Sequence, residues 1–377
     1  MVHRGPFFDG HTMIRMLFPL GLATATFVVP QLAYADNWQL HYAINSQSFS
    51  DSASIHDLAK DWRNEPTPSG SIAYSRNRVT LGARRENVSV DLIYRQDWIF
   101  EFHPDTAQIV YRDKNKIPLE PGQDYRVKLR ARALGAEGIR LGFESDANEG
   151  WGLRGAVSLL QVSEFQEGRL TGRVAENADG HFEGLGQIDY RYDEDHFLSH
   201  LASPPDGYGF AVDIGIFWSN EQYYASLDIE DAWTRFEWED APYTRGQIDT
   251  DQSSFDPDGY VSYRPLLSGV RGTEYYRPTN FLPRATTGQL GMRLEQWDVS
   301  INTFHFLGTL WPEAQLTYAT QGRMHYSAAY EAKSDRITLG IASQTSTHSF
   351  QFQLGMDNER WQEAHALLIN LSGAWQF

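Results

Sequence analysis

The chain has 377 residues, with 32 basic and 49 acidic side chains, a net charge of -17 and no cysteine. One apolar run is too few for a helical membrane protein, which needs several of about 20 residues, and 14% aromatic residues are too many for a disordered chain. The missing cysteine removes disulfides and thiolate metal sites, and the acidic balance argues against nucleic acid, whose phosphates need a basic surface.

The first element is an export signal. Arg15 precedes an apolar stretch from Met16 to Pro30, and Ala33-Tyr34-Ala35 gives the small-x-small pattern cut by signal peptidase. Residues 1–35 are expected to be removed, with Met13 an alternative start, leaving a barrel domain over 36–377 with a net charge of -18. The competing readings, a membrane anchor or a buried helix, are weakened by the short stretch and by Pro19 and Pro30.

After residue 36 the period is two almost throughout. Trp38, Leu40, Tyr42 and Ile44 share one face of 37–45, and Ile214, Ile216 and Trp218 alternate with Asp213, Gly215 and Phe217. The same pattern predicts strands over 78–83, 88–95, 125–133, 151–159, 181–193, 209–218, 223–230, 286–294, 297–303, 323–331, 336–343, 349–357 and 365–377. Short polar turns such as Arg84-Arg85-Glu86-Asn87 and Glu295-Gln296 join many of them, as in an antiparallel meander. A soluble β-sandwich would alternate too. Strand ends rich in Trp and Tyr, and an inner face that carries charge, favour a membrane barrel instead. Residues 123–146 read as one long strand or as a hairpin turning at Gly135–Gly138. The long connections 46–70, 99–122 and 240–285 read as extracellular loops, with a short helix within 52–63.

The last strand, HALLINLSGAWQF over 365–377, sets Leu367, Ile369, Leu371, Gly373, Trp375 and Phe377 on one face and ends the chain on Phe377. It resembles the C-terminal strand of Gram-negative outer-membrane β-barrels. That resemblance implies an all-β, antiparallel up-and-down transmembrane barrel in the outer membrane, with Trp375 and Phe377 read by the barrel-assembly machinery. It also implies outer-membrane lipids and lipopolysaccharide as surroundings. Both termini then lie in the periplasm and the strand number is even, about 14 within a range of 12–18. Size and strand form are similar to the fatty-acid transporter group, although a first strand near Asn37 leaves no room for that group's N-terminal plug. The size is compatible with an oligomer.

Charge is segregated. Residues 76–140 carry a net +4 and residues 181–258 a net -15. Arg126, Lys128, Arg130 and Arg132 share one face of a strand. In hydrocarbon each would cost about 2–4 kcal/mol, so the row is expected in the lumen or beyond the bilayer. Asp189, Asp213, Asp228 and Glu230 face inward by the same logic. Two readings stay open: opposed charges lining a porin-like eyelet, or a narrow lumen plugged by ion pairs. Asp249, Asp251, Asp256 and Asp258 form a weak calcium candidate, but the EF-hand spacing fails and a solvated loop competes. Asp193-Glu194-Asp195-His196 reads as a polar connection.

An outer-membrane lipid-modifying enzyme would need a Ser or His base with an orienting partner. His305 lies near Ser300 and Asn302, but period two puts it on the opposite face, and no GxSxG elbow is present. A non-enzymatic barrel without cofactors is expected. It is read as a channel or transporter for small solutes or, alternatively, as a structural, assembly or secretion-accessory barrel.

Overall fold

A computed structural model describes residues 38–60, 62–145, 150–176, 182–195, 203–249, 253–255, 261–263 and 266–377. The export signal, Asp251, Asp256, Asp258 and His196 lie outside the described residues. The strands are β1 (Trp38–Ser50), β2 (Ile72–Arg85), β3 (Val88–Phe102), β4 (Asp124–Glu144), β5 (Gly150–Glu176), β6 (Phe182–Tyr192), β7 (Gly207–Ser219), β8 (Tyr223–Asp249), β9 (Ser253–Phe255) and β10 (Val261–Tyr263). They continue with β11 (Leu266–Tyr276), β12 (Ala285–Leu294), β13 (Trp297–Phe306), β14 (Thr309–Ala319), β15 (Met324–Glu331), β16 (Arg336–Gln344), β17 (His348–Met356) and β18 (Ala366–Gln376). Helices α1 (Ile55–Ala59) and α2 (Pro104–Asn115) sit in the first two long connections. Ser54 caps α1 by accepting the Asp57 N–H at 3.0 Å.

Fourteen strands close into a ring of antiparallel pairs: β1 to β5, then β7, β8 and β12 to β18, with β18 back on β1. Tight turns set the meander. Glu86, Glu295 and the pair Leu307-Gly308 adopt positive φ, as two-residue hairpins between right-twisted strands require. At the seam Asn45 lies opposite Asn370, and the Phe377 N–H donates to the Trp38 carbonyl at 2.9 Å.

The pleat separates two faces. Leu92, Leu159, Leu290, Ile301 and Leu339 point outward and are all at least 60% exposed. Such a row of bare apolar side chains around a closed wall is a lipid-facing band. The inward positions on the same strands are Asp91, Ser158, Gln289, Asn302 and Thr338.

One wall rises higher than the rest. β6 and β7 run end to end along β5: Tyr192 lies opposite Gln166 and Gly207 opposite Val162. β11 and β12 do the same along β8, with Tyr276 opposite Trp238 and Ala285 opposite Glu230. Each of these two pairs thus meets its long partner in two pieces, one ending at Tyr192 and resuming at Gly207, the other ending at Tyr276 and resuming at Ala285. The unbroken β8 changes partners there. Its Asp231 takes φ 54°, and the register against β7 shifts by two residues between Val212–Trp233 and Ile214–Ile229.

Two readings of the sequence change, and one open choice is decided. Residues 124–144 form one long strand, the first of the two alternatives, with no turn at Gly135–Gly138. The 240–285 segment is not simply a loop, because β8 runs to Asp249 and β11 returns beside it. The 181–193 strand exists as β6 but pairs only with the raised parts of β5 and β8, while β14 completes the ring.

Candidate functional site

The lumen is crossed by direct contacts between strands that are not neighbours in the ring. Arg95 on β3 grips Asp231 on β8, Nη1 to Oδ1 at 2.8 Å and Nη2 to Oδ2 at 2.9 Å, while its Nε donates to Asp97 at 2.8 Å. Arg76 on β2 reaches Glu230 on β8 at 2.8 Å, and Arg78 approaches the same carboxylate at 3.3 Å. On the other side Tyr74 of β2 meets Phe306 of β13 at 5.0 Å between ring centroids, and Phe49 of β1 meets Trp311 of β14 at 5.4 Å. The Arg76 guanidinium lies over the Phe306 ring at 5.0 Å. Ion pairs and stacked rings therefore tie the β1–β3 wall to β8 and to β13–β14.

A second knot stands beside this crossing. One extra residue in β5, between Val162 and Glu164, turns Phe165 inward opposite Leu134. Phe165 stacks on Trp238 at 4.1 Å. Phe281, from the connection before β12, packs on Trp238 at 5.3 Å and is buried together with Leu282. Arg132 donates to the Phe281 carbonyl at 3.3 Å and pairs with Glu101.

Toward the short-turn end the lumen opens into two cavities of about 390 and 330 Å³, which share Arg154, Asp228 and Thr287. The first is walled by charged side chains of β2, β4, β5 and β8, among them Arg78, Arg140 and Glu230. The second is walled mainly by amides and hydroxyls of β12 to β18.

The cation row lies on the same face of β4 as Arg140, opposite the exposed Ile139, Leu141 and Phe143. Its members separate by height. Arg126 and Lys128 are exposed at the rim, where their backbone N–H groups donate to Asp105 and Thr106. Arg130 lies 3.9 Å from both Glu101 and Glu167. The acids on the facing strands find other partners. Asp189 pairs with Arg191 and Arg245, Asp213 with Arg140 at 3.0 Å, Asp228 with Arg154, and Glu230 with Arg76 and Arg78. Arg76, Arg95, Asp97 and Asp231 were missed by sequence reasoning. The available signal was the break in alternation after residue 230, where Asp231 adopts its left-handed turn.

In the raised wall, Glu274 accepts from Arg245 Nη2 and Arg191 Nε, each at 2.7 Å. Burial alone would raise the Glu274 carboxyl, but the two guanidinium groups outweigh it and hold the group below the usual carboxylate range.

Asp249 ends β8. Among the described residues no three His, Asp or Glu side chains converge as metal ligands. Ser300 and Asn302 face Gln315 and Glu313 on the inner side, and His305 sits at an alternate, outward position. Trp375 stacks on Tyr42 at 5.7 Å, and Phe377 is 64% exposed.

A closed antiparallel ring with an apolar outer band and a polar interior satisfies every backbone group within a bilayer. It defines this chain as an outer-membrane-type β-barrel. No family model and no curated protein matches the chain. Among solved structures it is similar to the toluene transporter TodX of P. putida, at 11% identity over 91% of both chains with a TM-score of 0.44. It is also similar to a Pseudomonas aeruginosa FadL homologue, at 8% identity over 90% of this chain and 89% of that one, with a TM-score of 0.35. A Rh. blastica porin mutant gives 9% identity over 90% and 99%, with a TM-score of 0.26. Likeness at this level carries no argument about function.

Proposed function

We propose that the chain is an outer-membrane channel or transporter for small solutes, exported by removal of residues 1–35 and inserted through its Phe377 strand. The observation that supports it is the polar lumen: two joined cavities of about 390 and 330 Å³ beneath a crossing built of side chains. The ion pairs and ring contacts of the crossing join side chains, so they can part while the backbone ladder of the wall stays intact. The crossing makes this the closed form, and transport requires the Arg95–Asp231 and Arg76–Glu230 pairs to part.

The crossing also favours a second reading, a permanently closed structural or assembly barrel. Conductance in planar bilayers separates the two. A channel gives rare, small openings that become frequent in Asp231→Asn, with Arg95 released from its partner. A structural barrel stays silent in both forms.

A further inference from the structure

We propose that the inner wall of β12–β18 is a binding site for a neutral polyhydroxylated solute, a mono- or disaccharide. This assignment rests on the solute-channel reading and names its substrate class.

The registers place one inward row across five adjacent strands: Thr317, Ser327, Gly340, Gln353 and Asn370. The row one step toward the crossing is Ser300, Gln315, Ala329 and Thr338. Amides and hydroxyls both donate and accept, so this wall matches sugar hydroxyls, which also do both. Phe304 and Trp311 stand at the top of the same 330 Å³ cavity and supply apolar ring surface beside the polar row. The volume falls in the range of about 300–1,000 Å³ usual for ligand sites.

Four polar atoms on residues of this cavity lack a protein partner: Trp311 Nε1, Thr338 Oγ1, Asn302 Oδ1 and Arg336 Nε. Trp311 and Thr338 are 3% and 4% exposed, so their groups are shielded from bulk solvent yet unspent. Two donors and two acceptor-capable atoms left buried without partners favour a ligand that returns hydrogen bonds.

Both guanidinium groups in the cavity are already paired, and the third carboxylate, Glu331, is held by hydrogen bonds. Arg336 pairs with Glu313 at 3.0 Å, and Arg154 pairs with Asp228. Glu331 accepts the Lys333 N–H at 2.5 Å and the Ser334 hydroxyl. An anionic solute finds both guanidinium groups of this wall paired, a cationic one finds only Glu331, already held by hydrogen bonds, and an apolar one would strand the wall's amides. Unmatched by charge but matched by hydrogen bonding, a neutral sugar fits best.

The test uses the full chain in an amine-oxide detergent, which carries no sugar, titrated with maltose by calorimetry and by saturation-transfer NMR. Benzoate and toluene serve as charged and apolar comparators. Maltose is expected to bind, and Trp311→Phe, which keeps a ring but removes the N–H, weakens it about tenfold, as loss of one buried hydrogen bond does. Gln353→Leu gives a second, independent loss. Heat-modifiable migration confirms that each variant is folded. Absence of maltose binding overturns the proposal, as does binding indifferent to both variants or a preference for benzoate or toluene. Liposome swelling separates this from the channel reading. Binding without maltose-driven swelling leaves the site and removes transport, while swelling in another solute without maltose binding does the reverse.

Discussion

Arg95 and Asp231 meet across the lumen in a two-pronged pair, 2.8 and 2.9 Å, with each side chain only 2% exposed. They come from β3 and β8, with β4, β5 and β7 between them along the ring. Taking one partner away leaves the other buried and charged, a loss of about 3–5 kcal/mol. Arg95→Ala is therefore expected to lower the unfolding midpoint sharply, and Arg95→Met with Asp231→Leu to recover much of it. Urea unfolding in detergent checks both. A single variant as stable as the wild type would mean the pair is not buried.

The outer band predicts a sharp contrast between adjacent residues. Leu290 points to lipid at 65% exposure, and Gln289 points inward opposite Asn302. Leu290→Arg should lose about 2–4 kcal/mol of folding stability in bilayers if it sits near the midplane. Gln289→Arg should insert like the wild type. Equal losses would contradict the assignment of faces.

Arg132 anchors the connection that carries Phe281, through that residue's carbonyl and through Glu101. Arg130→Ser with Arg132→Ser is expected to cost about 1.5–3 kcal/mol, the worth of a charged hydrogen bond. Hydrogen exchange around 277–284 should rise at the same time. Unchanged exchange there would show that the connection is held by its apolar packing alone.

Glu274 sets a pH response in the raised wall. Its carboxyl is depressed when folded, so its contribution is complete above the unfolded value of about 4.3 and is lost as pH falls through the lower folded one. Limited proteolysis of β11 should accelerate below about pH 4 in the wild type. Glu274→Gln should show the faster cleavage already at pH 7, with a smaller further change on acidification.

Deleting Phe377 removes the N–H that donates to Trp38 and a largely exposed ring at the barrel end. Export is expected to continue while the heat-modifiable form in the outer membrane falls. An undiminished amount would argue against an assembly role for this residue.

Much of the wall was legible because the pleat has period two, and lipid on one side with water on the other enforces it strand after strand. β14 escaped because it carries Pro312 and reads Leu310-Trp311-Pro312 at its start. Pro312 accepts from Ala332 on the side where the β15 ladder has ended, so the strand loses no ladder bond to β13. β6 was visible as a strand, but alternation does not report height, and it stands above the ring. The shared face of Arg126, Lys128, Arg130 and Arg132 followed from spacing. Their partners did not, because contacts across a lumen depend on strand tilt and stagger around the whole ring. Asp231 stayed hidden for the opposite reason: it is where the period fails.

The seam between β1 and β18 joins residues more than 300 positions apart, such as Asn45 and Asn370. Until the final dozen residues are in place, the β18 side of β1 is a bare edge of unpaired N–H and C=O groups. Every nascent molecule thus passes through a stage in which its earliest strand can pair with that of another. Loop-closure entropy makes the correct partner the slowest to arrive. Crowding and temperature should therefore limit yield through aggregation before they limit the stability of the finished barrel.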